Sequence, residues 1–485
     1  MPSQVLIVHG WSDTSQSFLP LHSYLQAHGF QTAQLWLADY ISMADDVRIE
    51  DVAKRMDAVI TAMQSSGKLG TEFDLIVHST GGLVAREWIT NLADRGITPP
   101  VKRLVMLAPA NFGSKLATLG KSMVGRVIKG WDHWFHTGEQ MLCGLELASP
   151  YQWKLAQRDL LDPNNSGAGG PYGHGKIWPF VIVGAVGYPD GLRRIVNENG
   201  SDGTVRAAAA NLNVVGMTVD FSVDPKQPAV RAWSSRVGTA PIPLAVVPDK
   251  NHGSIVEPDD AKGGFPDGTA RVGQLIVSAL GCDTDARYAA MQKEWDDITE
   301  RTASLSTDTA LRLASFSPDP GPEPFHQYMQ MIVRAIDDQG NAVDDFFLEF
   351  YAPETPGDDD SVFFHREILE DVHINSTSAS YRCLFLDRTD LCMRFYSPSD
   401  GKRQVALSIS AAPIGDDVQY FNNADSKATG EIIIHAADLA DREALGNTRL
   451  RRNTTHLIEL ILPRQPTEKV FVLSQPPIAA GPPSP

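Results

Sequence analysis

The chain has 485 residues, 42% of them hydrophobic and 21% charged, a globular composition that excludes a mostly disordered or fibrous protein. Lys and Arg number 42 against 59 Asp and Glu, so the formal charge is −17. That is the wrong sign for gripping a nucleic-acid backbone or for drawing strength from an anionic membrane surface.

The first 280 or so positions alternate short apolar runs with helical patterns. Strands are expected at Val5–Val8, Gln31–Leu37, Phe73–Val77, Lys102–Leu107, Trp178–Val183 and Ile242–Val247. Unbroken apolar runs of this kind suit strands covered on both faces. Apolar residues at helical spacing fill Val52 to Met63, and strands separated by helices argue for a parallel sheet with crossover helices. Between Leu107 and Trp178 the rhythm breaks. The stretch 111–177 is rich in glycine and aromatics, including Trp131, Trp134 and Phe135. A structureless loop of that length is rare, so a partly helical subdomain above the sheet is expected. Three aromatics so close together are costly to leave in water without a target, and they are the candidates for binding an acyl chain.

Residues 311–324 are a linker by their proline content. Beyond it the period shifts toward two. Tyr328–Ile336 opens a strand, Asp337-Asp338-Gln339-Gly340 is a hairpin signal, and Phe346–Phe350 follows. Further strands are expected at Tyr381–Leu384, Leu391–Tyr396, Gln404–Ile409, Glu431–His435, His456–Leu462 and Val470–Leu473. Short strands at this spacing predict a β-sandwich over 325–475, with a loose tail at 476–485. The organisation expected is therefore a first domain over 1–310, the linker, and the sandwich.

Four cysteines, Cys143, Cys282, Cys383 and Cys392, make neither a disulfide framework nor a zinc cluster. Spacing alone leaves a Cys383–Cys392 pair open. No apolar run approaches the roughly 18 residues of a spanning helix. The first strand begins without a basic region, an apolar core or a small-residue cleavage site before it. A cytoplasmic protein, or one exported without a cleaved leader, is expected.

The chemistry concentrates at the ends of the strands. His78-Ser79-Thr80-Gly81-Gly82 follows the third strand directly and runs into a helix. This is the strand–turn–helix context in which a tight turn exposes a serine nucleophile. The backbone N–H of Thr80, at the helix start, can face a developing oxyanion. Val77 stands where the nucleophile elbow ordinarily has glycine. His9-Gly10-Trp11 ends the first strand, and the N–H of Trp11 is the second oxyanion donor expected. A serine needs a base, and the base an orienting carboxylate, in the chain order Ser, acid, His. Asp202, in Gly200-Ser201-Asp202-Gly203, follows the fifth strand and is the expected acid, with Asp190 the alternative. His252, after the sixth strand, is the expected base, because His136 and His174 precede the acid.

Residues 1 to about 280 resemble the α/β-hydrolase family, in its bacterial lipase and esterase branch. The resemblance is carried by His9-Gly10-Trp11, His78-Ser79-Thr80-Gly81-Gly82, Asp202-Gly203-Thr204-Val205 and His252-Gly253. It implies an α/β-hydrolase fold and hydrolysis of carboxylic esters through an acyl-enzyme, with no cofactor and no metal. It further implies that 111–177 is a cap over the site. In layout alone, the chain is similar to antibacterial phospholipase effectors of the type VI secretion system. The expected function is a lipase or phospholipase. General carboxylesterases, other acyl-transfer enzymes and a catalytically dead binding protein are the alternatives. The partners expected are a lipid substrate, a peripheral membrane contact and a protein held by the C-terminal region, which supplies no catalytic residue.

Overall fold

A computed structural model of the chain describes residues 4–10, 15–31, 35–39, 44–123, 138–189, 197–238, 241–258, 263–305, 325–352, 362–399, 403–420, 431–434, 439 and 450–475. In its first half the principal strands are β1 (Val5–Val8), β2 (Leu35–Ala38), β3 (Phe73–His78), β4 (Val101–Leu107), β5 (Trp178–Gly184), β6 (Val215–Asp220), β7 (Ala229–Ala232) and β8 (Leu244–Val247). Six of them form one sheet in the order β8-β5-β4-β3-β1-β2, every pair parallel.

The alternating faces of this sheet explain why its strands read as unbroken apolar runs. Leu6, Val8, Leu75, Val77, Leu104 and Met106 point to one side, where helices α2 (Ile49–Ser65) and α3 (Gly81–Asp94) close the main core. Val5, Ile7, Ile76, Val105, Phe180 and Ile182 point to the other. There they meet helices at Leu19–Ala27, Val272–Leu280 and Asp285–Ser304. Each strand buries both of its faces, so neither face needs a polar alternation.

Residues 138–177 do not stand apart from the sheet. Met141, Leu142, Leu145, Trp153 and Leu155 are buried in the main core. Arg86 of α3 reaches Asp159 at the end of the helix Pro150–Asp159 through two bonds, of 2.9 and 3.0 Å, with both side chains fully buried. Trp131, Trp134 and Phe135 lie outside the described residues.

The second half adds β9 (Tyr328–Asp337), β10 (Phe346–Tyr351), β11 (Leu369–Ile374), β12 (Tyr381–Asp387), β13 (Val405–Ala411), β14 (Glu431–Ile434) and β15 (Thr454–Leu462). A six-stranded mixed sheet runs β11-β12-β9-β15-β6-β7, and a three-stranded one runs β10-β13-β14. The two face each other across a second core that includes Met331, Val333, Leu384 and Leu460 from the first sheet and Phe346, Phe350, Leu407 and Ile409 from the other. The C-terminal region is thus a β-structure of mostly antiparallel pairs, as the spacing predicts, with one addition. Strands β6 and β7 come from the first half of the chain, and β6 pairs in parallel with β15 over His456–Ile461. The opposite face of the mixed sheet carries Ile332, Tyr381, Cys383 and Leu457 into the main core.

Two local expectations are corrected. Leu391–Tyr396 is helical, because the Asp387 carboxylate accepts the N–H of Asp390 and starts a helical turn that the Asp390–Arg394 pair supports at 2.6 Å. Val470–Leu473 is not a strand: Val470 closes a single 3-10 turn, and Phe471 and Leu473 stand exposed. The hairpin signal at Gly340 is met: with φ +86° at the glycine the chain folds back on β9, Ile336 bridging Ala342 and the Val343 N–H donating to Ala335 O at 3.1 Å, before β10 leaves to pair with β13. The four cysteines are free thiols, so Cys383 and Cys392 do not pair.

Two outcomes follow from this architecture. A fragment ending at residue 315 leaves β6 without its β15 partner and uncovers apolar core, so it is expected to be insoluble or aggregated. A monodisperse, folded fragment in size-exclusion chromatography and circular dichroism would contradict the shared sheet. His456 is fully buried, its Nε2 accepting the Arg451 N–H at 2.9 Å, and burial lowers its pKa to about 4 from 6.5. The unfolded ring therefore takes up a proton first as pH falls. Its contribution is present above pH 6.5 and is lost between 6.5 and 4, by at most roughly 1.4 kcal/mol per pH unit. Urea midpoints of wild type and His456→Gln between pH 7 and 4 check this: the variant starts lower and falls less steeply.

Candidate active site

The elbow at Ser79 is built from the tight junction of β3 and α3. Ser79 adopts φ +53°, a conformation that a non-glycine residue holds only when its surroundings over-determine it. Those surroundings are visible. The Ser79 N–H donates to Leu107 O at 3.0 Å, and its carbonyl accepts from Gly82 N at 3.0 Å. A Cβ on Gly10 would stand 2.5 Å from the Ser79 Cβ, and one on Gly81 would stand 2.8 Å from His9 O. Both positions have to be glycine for β1 to approach the elbow this closely. Val77, at the departed elbow position, is a fully buried strand residue and does not prevent the turn.

His252 lies in the loop after β8. Asn251 shapes that loop by accepting the N–H groups of Gly253 at 3.0 Å and Ser254 at 2.9 Å. The His252 Nε2 lies 3.0 Å from Ser79 Oγ, and its Nδ1 lies 2.9 Å from Asp202 Oδ2. Asp202 Oδ1 accepts the N–H of Thr204 at 3.0 Å and of Val205 at 2.7 Å. The His252 N–H also donates to Asp202 O at 2.9 Å. With a carboxylate as the acceptor at Nδ1, that nitrogen carries the proton and Nε2 presents its lone pair to the serine. Ser79 and His252 are nearly buried, and Asp202 is completely so. The structure thus joins all three residues nominated from the sequence in one hydrogen-bonded row. Asp190, the alternative acid, lies outside the described residues.

Thr80 stands at the start of α3, without a side-chain capping bond, and is buried beside the serine. Trp11 lies outside the described residues. His78 is a structural residue that hydrogen-bonds beside the elbow. Its Nε2 donates to His252 O at 3.1 Å, and the two rings sit 4.8 Å apart. Burial, then the neighbouring His252 imidazole, holds its pKa well below the ordinary value. A neutral His78 braces the backbone of His252 without setting a second positive charge beside it. His9 hydrogen-bonds Gly10 O through Nδ1 and faces Asp39 at 3.5 Å through Nε2.

The Asp202 loop has supports that no motif announces. Ser114 Oγ donates to Thr204 O at 2.7 Å, and Tyr188 Oη shares a hydrogen with Thr204 Oγ1 at 3.1 Å. Arg206, five positions after Ser201, pairs with Glu198 through two bonds and with Asp371 of β11. No local pattern links residues 198 and 371, and only the folded chain brings them together. Among the described residues one group, His326, Asp387 and Asp390, sets three ligand atoms within 4.8 Å of one another. Their oxygens and nitrogen are engaged: Asp387 with His326 and the Asp390 N–H, Asp390 with Arg394. No helix among the described residues is long and apolar enough to cross a membrane.

The sequence matches the Alpha/beta hydrolase family over residues 5–263. No curated protein matches it. Among solved structures, the chain is similar to phospholipase PlaB from Legionella pneumophila in complex with thio-NAD, at 25% identity and a TM-score of 0.75, covering 98% of this chain and 97% of that one. The same phospholipase without that ligand gives 25% identity and a TM-score of 0.75 over 99% and 98% of the two chains. The mature lipase BlEst2 of Bacillus licheniformis is 14% identical with a TM-score of 0.37, covering 53% of this chain and 87% of that one. With its family match spanning more than half the sequence, and a parallel sheet bearing a serine elbow, this chain belongs to the alpha/beta hydrolase family.

Proposed function

We propose that the protein is a serine carboxylic-ester hydrolase that cleaves lipid acyl esters, phospholipids foremost, through an acyl-enzyme on Ser79. The observation that carries the reading is the row Asp202–His252–Ser79, with spacings of 2.9 and 3.0 Å, on an elbow whose serine has φ +53°. Ester chemistry needs each part. As Ser79 Oγ attacks the carbonyl carbon, His252 Nε2 takes its proton. Asp202 fixes the tautomer and stabilises the imidazolium. The Thr80 and Trp11 N–H groups are the donors for the oxyanion of the tetrahedral intermediate, each worth roughly 3–4 kcal/mol in known cases. His252 then protonates the leaving alcohol. Water, activated by the same nitrogen, releases the acid from Ser79.

The lipid assignment is supported by the similarity to a phospholipase over nearly the whole of both chains, C-terminal sheets included. It draws further support from the aromatic stretch Trp131, Trp134 and Phe135 as acyl-chain contacts. No step asks for a metal or an organic cofactor.

Fatty-acid release from phosphatidylcholine vesicles, alongside triacylglycerol and a short p-nitrophenyl ester, tests the assignment. Phospholipid turnover is expected. Turnover of the short ester with none on any lipid would overturn the substrate class and leave the mechanism standing. Ser79→Ala and His252→Ala are each expected to lower turnover by about 10⁴-fold or more, with melting temperatures near that of the parent. Asp202→Asn is expected to cost about 10² to 10⁴ in kcat by loss of tautomer control. Ester hydrolysis by Ser79→Ala near the parental rate would end the reading.

A further inference from the structure

We propose that Arg206 is a positioning residue through which the C-terminal sheet holds Asp202 in line with His252. The inference rests on the triad reading above and adds to it a reason for the C-terminal region to govern turnover without supplying a catalytic group.

Arg206 closes the loop that carries the acid. Ser201 and Arg206 face each other as an antiparallel bridge. Ala207 N donates to Gly200 O at 2.9 Å, and Asp202 N donates to Val205 O at 3.1 Å. The carboxylate therefore sits at the tip of a short closed loop whose base is Arg206. The base is anchored from both sides. On the hydrolase side, Arg206 Nε and Nη2 donate to the two oxygens of Glu198 at 2.8 and 2.9 Å. On the sheet side, Nη2 donates to Asp371 at 2.6 Å and Nη1 to Gln330 Oε1 at 3.3 Å, with Cys383 Sγ at 3.5 Å. The central carbon of the guanidinium lies over the Phe385 ring, 4.1 Å from its centroid. Asp371, Gln330, Cys383 and Phe385 belong to β11, β9 and β12, so three strands of the C-terminal sheet complete one side chain of the acid loop.

Burial makes this arrangement demanding. The Arg206 side chain is 1% exposed, and a buried guanidinium is tolerated only when its donors and charge are matched. Two carboxylates answer it, and Lys115 balances the second, with its Nζ 3.4 Å from Glu198 and 3.8 Å from Asp371. The planar fork is what satisfies Glu198, Asp371 and Gln330 together. A lysine at this position keeps the charge but loses that geometry. The loop then relaxes, and Asp202 no longer holds His252 Nδ1 at hydrogen-bond distance. A displacement of about 1 Å in catalytic geometry is worth up to about 10²-fold in rate.

A double-mutant cycle on the full-length chain tests this, with kcat and KM measured on a soluble p-nitrophenyl ester. Arg206→Lys is expected to lower kcat by about 10- to 10²-fold, with KM changed by less than about twofold. Because Arg206 acts through Asp202, the same substitution in Asp202→Asn is expected to cost less than about twofold more. The downfield proton resonance of the His252 Nδ1–H is expected to shift or broaden in Arg206→Lys. If Arg206→Lys does not fold, Asp371→Asn removes the sheet-side anchor while keeping the Glu198 pair. It is expected to lower kcat by about threefold in the parent and by nothing further in Asp202→Asn. An unchanged kcat in the folded variant, or a full loss that persists in the Asp202→Asn background, overturns the proposal. If Asp202→Asn is itself silent, the assignment of the acid has failed, a different result from an impaired Asp202→Asn beside a silent Arg206→Lys.

Discussion

Everything in the candidate site is arranged around one backbone constraint, a serine held at positive φ between a central strand and a helix. That conformation costs on the order of 1–3 kcal/mol for a residue with a side chain, so the neighbourhood has to impose it. Gly10 and Gly81 let β1 close on the turn, and Leu107 O receives the serine N–H. The strain leaves the hydroxyl facing the one direction from which a loop histidine can reach it. The position of β3 in the middle of the sheet makes this possible, since a neighbouring strand on each side clamps the elbow.

Asp202 and His252 come from outside that clamp, on loops, and their placement has a different origin. His252 is braced by His78 and by the Asp202 backbone. Asp202 is braced by its own loop, and the loop by Arg206. The mixed sheet of the C-terminal region then reaches that loop through the contacts of Gln330, Asp371 and Phe385 with Arg206. It also receives β6 and β7 from the hydrolase half. Further bonds run the same way: Gln330 Nε2 donates to Phe112 O at 3.0 Å, Thr455 Oγ1 to Ala208 O at 2.9 Å, and Asn211 Nδ2 to Asn453 O at 2.7 Å. Each ties a segment near the site to a strand of that sheet or to the turn leading into one. A region that reads as an appended module is, in contact, a scaffold for the loops at the ends of the parallel strands.

What was legible in the sequence follows from how local each signal is. The parallel strands announce themselves because burial on both faces leaves continuous apolar runs. Ser79, Asp202 and His252 are legible because each follows a strand end and carries its turn residues beside it. The β6 and β7 strands were not found: β6 alternates half-buried Val215 and Met217 with small or polar neighbours, and its partner β15 lies more than 230 positions away. Leu391–Tyr396 has the composition of a strand, and only the cap from Asp387 turns it helical. Arg206 offered no signal, since an arginine beside four alanines reads as a solvated helix start. Its meaning depends on Asp371 and Gln330, which arrive by tertiary folding alone.

The central claim is that ester cleavage passes through an acyl group on Ser79. The most direct measurement is rapid acid quenching during turnover of a p-nitrophenyl ester, followed by mass spectrometry of the digested protein. The account predicts an acyl adduct on the peptide carrying Ser79, formed in amounts that match an initial burst of p-nitrophenol. An adduct on any other residue, or steady turnover with Ser79 unmodified and no burst even under conditions that slow deacylation, would contradict it.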